Sequence, residues 1–330
     1  MRRLQFILVF ISFSFGIHLS QAQPCTGITI ADADCSPLTI VRLYYDNDLF
    51  AGTNRYYTQG IKAEVIHPRF MDLYLSSRFL LRVGRRARTY YGLGLSHQAF
   101  SPQNIEARDV ALGDRPYAGS LVLSHFLISN DKDRLLRMTT SIDLGVIGPW
   151  SGSNLLNNSQ NGWENQVRPD VVIGYNAKLE KGLFESEGVD AQLFGKASLS
   201  TLRPHVGAGG QVRVGLLNPY FYALHSAKRS LYGQRRIHDR QVYAIVNGGL
   251  DWVAYDATLQ GGLINGGLFS NNAPYELTRQ EIKRLMGYFS IGFNAEFRGI
   301  QLGYSHNVRA RSFQAGERHN WGQIRLIVSF

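Results

Sequence analysis

Gly322-Gln323-Ile324-Arg325-Leu326-Ile327-Val328-Ser329-Phe330 closes the chain on a period-two alternation. Ile324, Leu326, Val328 and Phe330 are apolar, Gln323, Arg325 and Ser329 are polar, and Ile327 is the one exception. A strand turns successive side chains to opposite faces, so one face of this segment suits lipid and the other water. The pattern recurs in Phe289, Ile291, Phe293, Ala295 and Phe297 against Ser290, Gly292, Asn294 and Glu296. It recurs again in Ile300, Leu302 and Tyr304 against Gln301, Gly303, Ser305 and Asn307. Successive strands with a polar inner face argue against a soluble sandwich, whose inner faces are apolar.

Working back from this end, comparable segments lie near residues 39–46, 58–66, 89–97, 120–128, 135–147, 170–179, 190–200, 204–216 and 241–255. The pattern predicts an all-β, closed antiparallel transmembrane barrel of about twelve strands with a polar lumen, each span using ~10 residues. Basic connections such as 82–86 and 228–240 read as loops or turns, and no repeat, linker or second domain interrupts the chain. The composition agrees: 44% of the 330 residues are hydrophobic, 18% are charged, and 34 are glycine. No stretch after the N-terminus reaches 18 apolar residues, which excludes a helical membrane bundle.

Arg2 and Arg3 precede an apolar run over 6–15, and Ser20-Gln21-Ala22 places small residues where a signal peptidase reads. The expectation is a signal peptide over 1–22 and a mature barrel over 23–330. Cys25 and Cys35, the only cysteines, are expected to form a disulfide in the lead-in 23–38. The formal net charge of +10 calls for an anionic partner, and an exported barrel has no nucleic acid to meet.

The first predicted strand runs into Tyr44-Tyr45-Asp46-Asn47-Asp48, and the second opens with Arg55-Tyr56-Tyr57-Thr58-Gln59-Gly60. Carboxylates, an amide and a hydroxyl where two strands meet a loop are oxygen donors of the kind Ca²⁺ selects, though Asx-rich turns have the same composition. With Ile61, Ala63 and Val65 facing lipid, alternation sends Thr58, Gly60, Lys62 and Glu64 into the lumen. Asp46, Asn47, Asp48 and Thr58 are therefore expected to converge at one rim.

At these residues the chain resembles the outer-membrane lipid A 3′-O-deacylases (LpxR). The likeness continues through Ser101-Pro102, Gly113-Asp114-Arg115-Pro116-Tyr117-Ala118-Gly119 and Asp143-Leu144-Gly145-Val146-Ile147-Gly148-Pro149. It resumes at Gly162-Trp163-Glu164-Asn165-Gln166, at Thr258-Leu259-Gln260-Gly261 and in the last three strands. The resemblance implies a twelve-stranded barrel in the outer membrane of a Gram-negative bacterium. It implies lipid A or lipopolysaccharide as partner, Ca²⁺ as cofactor, and hydrolysis of the ester that carries the 3′-acyloxyacyl chain. Asn47 and Thr58 match the family's polar site residues and Asp48 its metal ligand, with Asp46 a second candidate ligand.

The family's general base is a His after the Gly-Pro motif, followed by a metal-site Glu. Here 150–162 reads Trp-Ser-Gly-Ser-Asn-Leu-Leu-Asn-Asn-Ser-Gln-Asn-Gly, with neither His nor carboxylate. Of the remaining histidines, His97, just before Phe100-Ser101-Pro102, is the first choice for a substitute base. A serine hydrolase of the elbow type is disfavoured, since no Gly-x-Ser-x-Gly occurs. Two functions stay open: an esterase with a relocated base, and a non-catalytic barrel that binds lipopolysaccharide or is structural.

Overall fold

The computed structural model describes residues 39–52, 55–73, 78–84, 87–103, 112–153, 162–222, 224, 231–232, 235–236, 238, 240–264 and 275–330. The signal peptide, Cys25 and Cys35 lie outside the described residues. Among the described residues there are fourteen strands: β1 (Ile40–Asn47), β2 (Tyr56–Ile66), β3 (Arg88–Ser101), β4 (Ala118–Asp131), β5 (Leu136–Ile147), β6 (Asp170–Glu185), β7 (Val189–Ser200), β8 (His205–Leu216), β9 (Leu231–Tyr232), β10 (Arg235–Arg236), β11 (Arg240–Val253), β12 (Leu285–Phe297), β13 (Ile300–Arg309) and β14 (His319–Ser329). Twelve of them close into an antiparallel barrel, while β9 and β10 pair with each other in the stretch read from sequence as a loop. Closure is made by β1 against β14, in register from Ile40↔Ser329 to Asn47↔Gly322. Thr39 and Phe330 then exchange two backbone hydrogen bonds of 3.0 Å. A closed ladder leaves no edge, as lipid requires.

The alternation read from the last three strands holds in space. Ile324, Phe293 and Leu302 are among the exposed apolar side chains on the outer wall. Gln323 instead donates to Asp46 at 2.8 Å and Arg325 to Asn294 at 2.6 Å, on the lumenal face of the wall. Lumenal charges are paired, Lys178 with Glu180 along β6 at 2.9 Å and Lys196 on β7 with Asp251 on β11, past β8, at 2.9 Å. The lumen is not polar throughout. Ile327, the exception in the final strand, joins Ile40, Ile66, Phe126 and Ile128 in an apolar layer at the end that holds both chain-terminal strand ends. The polar lumen thus has an apolar floor at this end.

Three short links, 132–135, 186–188 and 298–299, fall at that same end. The turn Arg298-Gly299 between β12 and β13 has positive φ at both residues, 48° and 90°, the conformation that matches the twist of a two-residue hairpin. A Cβ on Gly299 would also lie 2.8 Å from the Ser329 carbonyl. At the other end the connections 102–117, 148–169, 254–284 and 310–318 are long and outweigh the two long ones of the first end, 67–87 and 217–239. Outer-membrane barrels turn short links to the periplasm and long loops outward, so this second end is the outer one.

Candidate functional site

At the outer end a β-bulge decides where the candidate hydroxyl points. Between β2 and β3 the register runs Tyr57↔Phe100 and then Gln59↔Ala99, leaving Thr58 as the extra residue. A bulge breaks alternation locally. Tyr57 stays in the lumen and donates to Asp46 Oδ2 at 2.7 Å. Thr58 therefore faces outward, where its Oγ1 lies 2.8 Å from Ser101 Oγ. The inward-facing Thr58 expected from simple alternation is thus corrected.

The predicted cluster divides accordingly. Asp46 is inside the barrel, held by Tyr57 and Gln323, across the wall from Thr58. Asn47 accepts from the Leu49 N–H at 2.8 Å, capping a 3₁₀ turn over Asp48–Ala51, and donates to Tyr45 Oη at 3.2 Å. Continuing the register Asn47↔Gln59 by one residue sets Asp48 opposite Thr58. Asp48 is 1% exposed. Burial pushes its carboxyl up to about 7, although the backbone N–H groups of Arg55 and Leu49 favour its charged form.

This shift has a consequence for stability. A carboxyl raised from 3.8 to about 7 on folding holds its proton longer in the native chain than in the unfolded one. Stability attributable to Asp48 is therefore full below about pH 4 and is lost as pH rises through about 7. The whole shift corresponds to about 4 kcal/mol at most. Asp48→Asn is expected to flatten this slope, which denaturant unfolding at pH 4, 6 and 8 checks. An unchanged pH profile in the variant would show that Asp48 is not the group responsible.

The donor set does not fit a calcium ion. Ca²⁺ takes six to eight oxygens, usually with several carboxylates. Here Asp48 is buried in its turn, Asp46 faces the lumen, Thr58 and Ser101 satisfy each other, and Asn47 is spent on its turn. Among the described residues no group of three or more His, Cys, Asp or Glu side chains could hold a metal.

His97 lies elsewhere on the same outer wall. On β3, His97, Ala99 and Ser101 share the outward face with Leu95, which is exposed. Four residues of strand put His97 ~13 Å below Ser101, so His97 and the Asp48–Thr58 corner do not meet. Its partner comes instead from the shortened connection after β5. The 3₁₀ turn over Gly148–Ser151 folds back onto β4 and brings Ser153 Oγ within 2.9 Å of His97 Nε2. Ser153 Oγ is also 2.9 Å from Ser151 Oγ, and Ser151 donates to the Gly148 carbonyl at 2.7 Å.

Close approach of this turn depends on Gly119 at the start of β4, where a Cβ would sit 1.9 Å from Ser153 Oγ and 2.2 Å from Ser151 Oγ. Beside it Ala99, Tyr117 and Trp163 fill the remaining space, the two rings 5.1 Å apart. Glu164 accepts from the Gly162 N–H at 3.2 Å within its own turn. The sequence pointed to His97 and, within a shared motif, to Gly119, but not to Ser151 or Ser153. Their one local signal was the small-residue run Ser151-Gly152-Ser153, which says nothing of a partner 56 residues earlier.

LpxR from Salmonella typhimurium matches with a TM-score of 0.66 at 16% identity, covering 88% of this chain and 99% of that one. The β domain of the Bordetella autotransporter Brka matches with a TM-score of 0.44 at 12% identity, covering 89% of this chain and 100% of that one. No curated protein matches the chain. The family model described as outer membrane protein LpxR matches residues 6–330, and with it the twelve-stranded closure and the motifs met along the chain have one explanation: the protein belongs to the LpxR family of outer-membrane barrels.

Proposed function

We propose that this barrel acts on lipid A at the outer face of its wall as a slow ester hydrolase, with His97 as the proton acceptor. The observation that carries the reading is the 2.9 Å contact between His97 Nε2 and Ser153 Oγ. It places an oxygen within proton-transfer distance of an imidazole on the side of the wall that meets lipid. A water taking the place of Ser153 Oγ would lose its proton to Nε2 and attack the carbonyl of the 3′ ester. The alkoxide of the sugar would then recover the proton as it leaves. Ser153 is 0% exposed, so the turn that carries it must lift before an ester reaches His97, which favours slow turnover. Lipid A phosphates also suit a chain of net charge +10.

A second reading, binding of lipopolysaccharide without turnover, is favoured by the separation of the family's site residues. Asp46 is across the wall, Thr58 is satisfied by Ser101, and His97 stands apart from both. Incubating the purified barrel with lipid A, with Ca²⁺ or with chelator, and following loss of the 3′ acyl chain by mass spectrometry separates the readings. The expected result is slow release at equal rates in both conditions. Release that requires Ca²⁺ and vanishes in Asp48→Ala would restore a calcium site at Asp48. Retention on immobilised lipopolysaccharide with no release would leave binding as the function.

A further inference from the structure

Two motifs shared with the family, Gly113-Asp114-Arg115-Pro116-Tyr117 and Thr258-Leu259-Gln260-Gly261, have no part in the outer-wall site apart from Tyr117, which packs beside it. They meet inside the barrel. Arg115 Nη2 donates to Thr258 Oγ1 at 2.5 Å, and Thr258 belongs to the short helix α1 (Ala257–Gln260) that the β11–β12 connection lays over the lumen. Below this contact is a cavity of about 170 Å³, lined by Arg115, Arg203, Arg309, Asp46, Asp256 and His319 among others. All of these sit at the outer end of their strands or in the outer loops.

We infer that this outer chamber of the lumen, bounded by the guanidinium groups of Arg115, Arg203 and Arg309, is a binding site for a phosphate monoester. The charges in it do not balance locally. Asp46 is committed to Tyr57 and Gln323. Asp256 accepts from the Thr258 amide and hydroxyl at 3.0 and 2.6 Å and faces Arg203 at 3.5 Å. Asp251, the next acid toward the periplasm, is held by Lys196 at 2.9 Å.

Arg309 lies over the Trp321 ring, 5.7 Å from its centroid, and makes no ion pair among the described residues. Arg115 is 4% exposed and its Nε is buried without a hydrogen-bond partner, while Arg203 Nε faces Asp256 at 3.5 Å. Burial pulls the Arg115 pKa down to about 10, with Arg203 pushing in the same direction despite Asp256 and Asp114. An anion between the three guanidinium groups would relieve that repulsion and supply the missing acceptors.

The cavity nearer the periplasm shows what a self-sufficient cluster looks like. It too is lined by arginines, in about 210 Å³. There Arg213 is matched by Asp190, Arg42 by Glu64, Arg137 by Asn130 and the Tyr220 carbonyl, and Arg325 by the Asn294 side chain. Of the arginines that line the two cavities, Arg309 alone has neither an ion pair nor a hydrogen bond among the described residues.

The test is isothermal titration of the detergent-solubilised barrel with inorganic phosphate, glucosamine 6-phosphate and glucosamine, at ionic strength held constant with chloride. Both phosphates are expected to bind saturably and glucosamine not at all, and Arg309→Gln is expected to weaken phosphate binding at least tenfold. Arg203→Gln serves as a second variant should Arg309→Gln fail to fold. Tighter binding of the sugar phosphate would assign the site to a glycolipid headgroup, and equal affinity to free phosphate; either upholds it. No saturable binding above the chloride control would overturn the proposal, as would unchanged affinity in a folded Arg309→Gln barrel.

Discussion

Asp190→Ala is expected to destabilise the barrel by about 3–5 kcal/mol, the loss typical when one partner of a buried ion pair is removed. Asp190 on β7 and Arg213 on β8 are directly opposed in register. Arg213 Nε donates to both oxygens of Asp190, at 3.0 and 3.1 Å, and its Nη2 adds another bond to the same carboxylate. Asp190 is 1% exposed and Arg213 5%, so the alanine variant strands a guanidinium that water reaches poorly. The remaining contacts of Arg213, the Asn218 carbonyl at 3.1 Å and the Tyr220 ring at 4.8 Å, do not neutralise its charge. Asp190→Asn keeps an acceptor and is expected to lose less. Urea unfolding of the micelle-bound barrel followed by tryptophan fluorescence measures both. A loss below about 1 kcal/mol in Asp190→Ala would mean that lumenal water solvates Arg213.

His97→Ala is expected to lower release of the 3′ acyl chain by at least ~10²-fold, the lower bound of what a general base contributes. The barrel itself should survive, because β3 pairs with β2 and β4 at this position through the backbone, Ile61↔His97 and His97↔Leu121. Ser153→Ala vacates the position 2.9 Å from Nε2 and admits water there, so it is expected to keep at least a tenth of the wild-type rate. Equal loss in Ser153→Ala and His97→Ala would make Ser153 itself the nucleophile. Release unaffected by His97→Ala would remove the histidine from the chemistry. Retention on immobilised lipopolysaccharide serves as the control that substrate still binds.

What the amino-acid sequence determined by itself is the architecture. Each of the twelve alternating segments became a barrel strand, because a span that meets lipid on one side and water on the other must repeat every two residues. Gln323 and Arg325 could be placed in the lumen, and Ile324 against lipid, from nine residues of chain. Even Ile327 was marked as an exception before its role in the apolar floor was visible. The family's motifs were legible too, since each is a short run of neighbours.

The site was decided only by tertiary structure. One bulged residue turned Thr58 from the lumen to the outer wall, and no local pattern distinguishes the strand that bulges from one that does not. Asp46 and Asp48, two apart in sequence, parted because β1 ends between them and Asp48 enters a turn. The pairing of His97 with Ser153 spans 56 residues, and that of Arg115 with Thr258 spans 143. Such contacts follow from loops folding back over a closed wall, an outcome set by the packing of the whole barrel and not by the residues on either side of each partner.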